Sequence, residues 1–552
     1  MIKKLCIVLF FCFGLNVWAQ EIENIPNKNE EQAFLHVNTN VLVPGESLNY
    51  VFYNLLSSKH AISDLSKIAH VKLINSNAET IFSHIVNLKN GIGYSDYLIP
   101  STLPSGTYNL VGHTTWMENF SEPGYFQVPV IILNPYQKEE NNVFEFSESD
   151  FKGPAQNSEN IKLDLNKSEF GLREMVQVQL NGLKNLDDYC LSISVRKIDS
   201  LIELELPKAS ELKKSNSSNF SFKNTPEYEG RLIKGKVENV QNSNLSVAIP
   251  GAPGQFRTYP LDVDGNFEIS IPPSQQTEVA YLNVLSANEN SELNFEFQND
   301  NFQLTHFLSP KIQLNQNQKK SLKQRSLHAQ IEQAYRESKK DSVLIVNPSK
   351  PIYGSRGIDY ILDEFTRFPT MDETFVEIIQ YTSFRGKANE HRINVFVYST
   401  ETNFGDAPLV LVDGLMTHDH EYIYNLDPKT INSIHIVRDK YFLGGATFQG
   451  IVDIKTFNTE ISPALTFNQY ALELQKTEPQ KIYFSEKYTS ENEKIRKNRI
   501  PDFRYQLLWL PKLTQPAFEF FTSDVKGVYE INIQGFQANG TAVSLSKTFK
   551  VD

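Results

Sequence analysis

The sequence predicts a mainly β protein: a tandem of β-sandwiches that carries one α/β domain. Three observations point there. Apolar residues recur at period two, in short runs split by Gly, Pro and Asn turns, over most of the chain. Helical spacing is confined to residues 313–340 and to parts of 358–456. The 552 residues, 40% hydrophobic and 12% aromatic, suffice for several separate cores, and 26 glycines with 26 prolines supply the turns. The net charge of −12 argues against a nucleic-acid partner, which calls for a basic excess or a clustered Lys/Arg face.

Residues 1–19 read as a removed signal. Lys3 and Lys4 form a basic start, Leu5 to Leu15 an apolar stretch, and Val17-Trp18-Ala19 a cleavage point before Gln20. The apolar stretch is shorter than the ~20 residues of a spanning helix. Cys12 follows Phe10-Phe11, unlike the small residue before a lipidated cysteine. The chain is therefore expected to be exported. Loss of Lys3 and Lys4 takes the charge from −12 to −14 and leaves Cys190 as the single thiol, so no internal disulfide is expected.

Residues 20–140 read as a first sandwich. Phe34-Leu35-His36-Val37 leads to the Pro44-Gly45-Glu46 turn, and Leu48, Tyr50 and Phe52 then share one strand face. Pro104-Ser105-Gly106 turns into Tyr108-Asn109-Leu110-Val111, His113 to Phe120 follows, and Phe126 to Leu133 is a strand broken by Pro129. This order resembles the macroglobulin-type sandwich of exported Bacteroidetes proteins. Residues 141–222 hold a shorter passage of the same kind: Leu163, Leu165, Phe170 to Glu174, Val176 to Leu180 and Cys190 to Val195. It resembles a second macroglobulin-like module, with Cys190 expected as a buried thiol rather than a reactive one.

After the polar stretch Ser215 to Thr225, residues 223–310 run through Gly235-Lys236-Val237, Ile249-Pro250-Gly251 and Asp262-Val263-Asp264-Gly265-Asn266-Phe267-Glu268-Ile269. They resemble the carboxypeptidase regulatory-like domain, itself a β-sandwich. Asp-Gly supplies the positive φ of a tight hairpin. The same residues could be half a calcium loop, but the Glu that closes an EF-hand is missing. Residues 311–345 read as a solvated connecting helix, with Leu322, Leu327, Ile331 and Tyr335 near helical spacing.

Residues 346–460 are the most informative. Thr370 and Glu373 form a capping box before a helix to Ile379. Val395 to Tyr398, Pro408-Leu409-Val410-Leu411-Val412-Asp413-Gly414, Leu426-Asp427-Pro428, Ile434 to Val437 and Tyr441 to Thr456 follow. These motifs resemble the plug domain of TonB-dependent outer-membrane receptors. A 22-stranded barrel needs more than ~220 residues, whereas 95 follow Phe457, so no barrel of its own is expected. Residues 461–552, with Leu508-Trp509-Leu510 and Gly527 to Ile533, read as a further sandwich; they also resemble type IX sorting domains.

No enzyme is expected. His418-x-x-Glu421 matches two ligands of a zinc carboxypeptidase, but the last histidine, His435, lies only 14 residues beyond Glu421, so the distant third ligand is missing. Cys190 precedes Leu191-Ser192-Ile193 rather than a thioester motif. Gly444-Gly445 and Gly450 precede a strand, not a phosphate-binding helix. Nucleophile elbows and phosphate loops of the G-x-S-x-G and G-x-x-x-x-G-K-[ST] kinds do not occur.

What the resemblances imply is a non-enzymatic, outer-membrane-associated accessory protein whose plug-like domain contacts a separate β-barrel transporter or secretion pore, on the periplasmic or the surface side. No metal, cofactor or nucleic acid is expected. The expected contacts are Asp413, Gly414, His418, His420, Tyr441, Phe442 and Phe448. The alternative is a glycan- or peptide-binding protein that uses its sandwiches, with Trp116, Trp509 and Tyr529 as the aromatic platform.

Overall fold

A computed structural model describes residues 29–121, 124–137, 161–198, 201, 204–214, 220–238, 240, 243–250, 255–272, 278–285, 293–298, 302–304, 306–308, 316–344, 350–397, 407–443, 446–458, 469–488 and 500–552. The signal-peptide reading and the Gly444-Gly445 pair lie outside these residues.

The first sandwich comprises β1 (Glu31–Val37), β2 (Val41–Leu42), β3 (Ser47–Leu56), β4 (Ile68–Asn75), β5 (Thr80–Asn87), β6 (Ile92–Leu98), β7 (Gly106–His113) and β8 (Phe126–Ile132). A three-stranded sheet β1-β3-β6 faces a five-stranded sheet β2-β8-β7-β4-β5. Period two in β3 sends Leu48, Tyr50 and Phe52 into the core between them. Pro129 does not break β8: β2 covers only Ile131 and Ile132, so Pro129 sits where the strand has one neighbour and no N–H is missed.

The chain continues through β9 (Lys162–Leu165), β10 (Glu169–Phe170), β11 (Met175–Asn181) and β12 (Tyr189–Lys197), then β13 (Arg231–Val237), β14 (Asn244–Ile249), β15 (Gln255–Pro260), β16 (Asn266–Ile271), β17 (Val279–Val284) and β18 (Phe295–Phe297). Helix α1 (Gln316–Ala334) and β19 (Ser342–Val343) come next. The α/β domain holds β20 (Ile358–Ile361), α2 (Met371–Glu377), β21 (Thr382–Arg385), β22 (Arg392–Val395), β23 (Leu409–Val412), β24 (Leu415–Thr417), α3 (His420–Tyr424), β25 (Ile431–Leu443) and β26 (Ala446–Thr456). The last strands are β27 (Tyr470–Glu473), β28 (Lys481–Ile482), β29 (Gln506–Leu510), β30 (Ala517–Phe521), β31 (Gly527–Gln537) and β32 (Ala542–Val551).

The boundaries expected at 141–222 and 461–552 are corrected by strand pairing. Those segments are not two modules but two halves of one sandwich: β11 pairs with β30, and β12 lies between β31 and β29. Its sheets, β9-β11-β30 and β10-β32-β31-β12-β29, repeat the first sandwich strand for strand, including the parallel β2/β8 and β10/β32 edges. The hairpin turn of residues 76–79 between β4 and β5 corresponds in the second sandwich to residues 198–505. Everything between is an insertion in one hairpin. It is nested again, because β27 completes the third sandwich, β16-β13-β18 facing β15-β14-β17-β27, after the α/β domain has been inserted between β18 and β27.

The first two sandwiches are welded. Phe34, Val51, Tyr53 and Leu55, on the face of β1 and β3 opposite their own core, bury against Trp509 and Phe536, and Phe34 meets Phe536 edge-on at 5.6 Å. The solvated-helix expectation is also corrected. Helix α1 packs Leu322 and Ala329 on Val41, Val43 and Ile131, and buries Arg325 to 1% exposure. Gly45, at φ +90, lets the Pro44-Gly45-Glu46 turn come within reach of Gln333, whose amide donates to the Gly45 carbonyl at 2.7 Å. Segment 474–483 then straps the first sandwich, with Lys481 paired to Asp96 at 2.6 Å and Ser95 donating to Glu478 at 2.8 Å.

Candidate functional site

The α/β domain has a five-stranded sheet, β20-β25-β26-β23-β24, in which β23 runs parallel to β26. Thr370 caps α2 by accepting from the Glu373 N–H at 3.2 Å, one half of the expected capping box; no return bond to the Glu373 carboxylate is formed among the described residues. Its core takes in Ala248 and Phe256 of the third sandwich, so the domain is seated on β14 and β15. Strand β20 pairs with β25 only across Ser433 to Ile436, and β23 with β26 only across Ile451 to Ile454. The stretch Lys440–Leu443 with Ala446–Gln449 therefore runs on beyond the sheet as a two-stranded finger.

The expected contact residues separate on this frame. Asp413 and Gly414, both at positive φ (+49 and +87), form the tight β23–β24 turn. The Asp413 carboxylate is buried and accepts from the Thr456 N–H at 2.9 Å and the Thr456 hydroxyl at 2.6 Å. That pair ties the turn to the end of β26, which removes Asp413 from any contact face. His420 is buried too. Its Nδ1 accepts from the Ile393 N–H at 3.0 Å, and burial first, then His418 and Arg392, push the imidazole down to about 4. Phe448 fills the core. His418 is exposed, and Tyr441 is half-buried, its hydroxyl anchoring the finger to the Ile352 carbonyl at 2.8 Å. Phe442 is 71% exposed at the finger's end, with the Lys440 ammonium 5.9 Å from its ring. Only His418 and Phe442 of the seven stand out on the surface.

Glu421 of the H-x-x-E motif is engaged by His391, accepting from its N–H at 2.8 Å and lying 2.9 Å from its Nδ1. Asp262 likewise closes its own turn, accepting from the N–H groups of Asp264 and Asn266 at 2.9 and 2.8 Å.

A second site, unmarked by any motif, lies where the first two sandwiches meet α1. Two adjoining cavities of about 190 and 180 Å³ share Ser47, Asn49, Glu332, Arg504 and Gln506 in their walls. Most of the charges there are paired: Lys339 with Glu332 at 2.6 Å, Arg504 with Asp502 at 2.6 and 2.7 Å, and Lys481 with Asp96. Trp509 lines the larger cavity, yet it is buried to 3% exposure in the weld between the sandwiches, and Tyr529 is wholly buried in the second core. Neither offers an exposed aromatic platform. Trp116 is half-buried, its indole N–H donating to the Asn29 carbonyl at 2.8 Å. Cys190 is half-buried beside Phe536's cluster, and burial raises its thiol pKa, in keeping with an inert thiol.

No protein-family model matches the chain, and no curated protein matches it. Among solved structures it is similar to Salmonella alpha-2-macroglobulin reacted with methylamine, at 10% identity over 95% of this chain and 23% of that one, with a TM-score of 0.16. It is also similar to trypsin-activated alpha-2-macroglobulin from Escherichia coli, at 10% identity over 95% and 42%, with a TM-score of 0.23. The Escherichia coli adhesin FdeC matches over 47% of this chain and 59% of its own, at 10% identity and a TM-score of 0.15. The chain spans less than half the length of these macroglobulins, and likenesses of this size carry no argument about activity.

A structural signal that sequence reading could have used is the pair of tyrosines after glycine in the two welded sandwiches. Tyr108, in Gly106-Thr107-Tyr108, donates to the Pro104 carbonyl at 2.8 Å, and Tyr529, in Gly527-Val528-Tyr529, to that of Val525 at 2.7 Å. Each hydroxyl reaches back four residues to pin the corner ahead of its strand, the device known as a tyrosine corner. They mark β7 and β31 as equivalents.

Proposed function

We propose that the chain is an exported, non-enzymatic adaptor at the outer membrane, whose α/β domain docks a separate β-barrel transporter or secretion pore. The observation that carries this reading is the β25–β26 finger, which projects past its sheet, is anchored at its base through Tyr441 and Phe448, and ends in the exposed Phe442. The resemblance of residues 346–460 to receptor plugs supports it, as does a domain seated at both ends in a sandwich, which presents the finger on a firm base. Such plugs fill a polar lumen, and a chain of net charge −12 suits a wet contact. The test is crosslinking in the native cell followed by purification of the tagged chain. Recovery of a barrel protein, lost with Phe442→Asp, supports the reading. Purification of the chain with no barrel enriched overturns it.

A further inference from the structure

The face of β3 turned toward the second sandwich alternates Ser47, Asn49, Val51, Tyr53 and Leu55. The last three are buried in the apolar weld, whereas Ser47 and Asn49 line the two adjoining cavities. Asn49 is 93% buried, being 7% exposed, and no side-chain partner holds its amide among the described residues. Asn49 lies in the wall of both cavities. A buried amide without a partner costs free energy on the order of 1–3 kcal/mol unless something bonds it. The weld could have been completed here with another apolar residue.

Beside the sealed, unpartnered Trp509 indole N–H, the groups in the larger cavity's wall without a hydrogen-bond partner among the described residues include the Ser47 hydroxyl, the Gln333 amide oxygen left over from the Gly45 contact, and the Arg336 guanidinium at the mouth. With Asn49 they form a set that both donates and accepts. The ionic groups around them cancel in pairs, and Arg336 stands near Asp341, lowering that carboxyl against the larger upward push of burial. The cleft therefore has hydrogen-bonding capacity without a net field for an ion. We infer that the cleft between the first two sandwiches and α1 binds a neutral, hydroxyl-rich ligand of one to two sugar rings, held by Asn49, Ser47 and Arg336. A cavity of ~150 Å³ admits one six-membered ring, and the larger one here measures about 190 Å³. Vicinal hydroxyls, each donor and acceptor, match an amide beside a hydroxyl. Clefts at domain junctions are common ligand sites.

Isothermal titration of the purified full chain with glucose, N-acetylglucosamine, maltose and cellobiose tests this, with succinate and glycylglycine as charged comparators. Saturable binding of at least one of the four sugars is expected. Asn49→Leu and Ser47→Ala should each weaken it about tenfold or more, the loss of roughly one hydrogen bond, while thermal unfolding of Ser47→Ala stays at the parent temperature. Arg336→Gln, at the exposed mouth, keeps the test intact should Asn49→Leu fail to fold. No heat with any of the four sugars, binding of the charged comparators alone, or sugar binding unchanged by Ser47→Ala and Arg336→Gln overturns the inference and leaves a water-filled junction.

Discussion

Arg325 of α1 grips Glu46 of the first sandwich with two bonds, Nε to Oε1 at 2.9 Å and Nη2 to Oε2 at 2.6 Å, while Arg196 of the second sandwich reaches the same Oε1 at 3.1 Å. One carboxylate thus holds three parts of the chain together. Burial pushes this carboxyl up, and Arg325, followed by Arg196, more than reverses it, bringing it down to about 2. The folded value lies below the ordinary 4.5, so the stabilisation is complete above that pH and drains as pH falls toward 2. Arg325→Ala should destabilise the chain by about 3–5 kcal/mol, the range for breaking one side of a buried pair. Urea midpoints near neutral pH measure it; a loss below about 1 kcal/mol, the worth of an exposed pair, would show the helix to be loosely attached.

The core of the second sandwich contains no residue from the insertion: it runs from Ile161 to Val195 and resumes at Leu507. Joining Lys197 to Gln506 through an Asn-Gly turn, with residues 198–505 removed, should therefore leave the second sandwich folded, although the weld loses Ala209 and Glu46 loses Arg325. Circular dichroism and a cooperative melt are the readouts. A molten, non-cooperative product would mean that the inserted domains are needed to close the sandwich.

That nesting was invisible to local pattern. Within the first sandwich, β3, β4 and β7 pair with neighbours close in sequence, so alternation and turns sufficed to outline it. Strand β12 shows the same alternation, but its partners begin at Gln506 and end at Gln537, and period two says nothing about which distant strand is the mate. Helix α1 escapes an apolar-stripe reading because its largest buried side chain is an arginine, which such a reading scores as solvent-facing. Asp413 was misjudged for a related reason. A polar turn residue looks exposed, and it takes the N–H and hydroxyl of Thr456, 43 residues on, to show its carboxylate to be internal.

The two tyrosine corners offer a matched pair of substitutions. Tyr529→Phe and Tyr108→Phe each delete one hydroxyl that donates to a backbone carbonyl, and each should cost about 1 kcal/mol. Calorimetry should place the losses in the same range for both, since they serve equivalent corners. A negligible cost at Tyr529, which also lies 3.1 Å from the Ser523 hydroxyl, would mean that Ser523 takes over the carbonyl.

On the finger, Phe442 and Phe448 should behave oppositely. Phe448→Ala empties a core position and is expected to cost about 3–5 kcal/mol. Phe442→Ser, at a side chain already in solvent, should stay within about 0.5 kcal/mol of the parent. Thermal melts of the two variants decide the point; a large loss at Phe442 would place that ring in a contact within the chain rather than at its surface.

His36 gives the weld between the sandwiches its own acid sensitivity, separable from that of Glu46. Its Nδ1 lies 2.6 Å from the Ser192 hydroxyl, which also accepts from Tyr53 at 2.8 Å, and the ring sits 5.3 Å from that of Trp509. Burial pushes the imidazole down to about 3 from its ordinary 6.5. The unfolded chain takes up a proton below 6.5 that the folded chain refuses, so stability is full above 6.5 and falls by about 1.4 kcal/mol per pH unit until the folded value is reached. Glu46 contributes its loss only below about 4.5, so between 6.5 and 4.5 the difference between the parent and His36→Asn isolates the histidine. Urea midpoints across that interval should slope less steeply for His36→Asn by about 1.4 kcal/mol per unit; parallel curves would mean that the imidazole picks up its proton in the folded chain as readily as in the unfolded one, and that the weld opens to admit it.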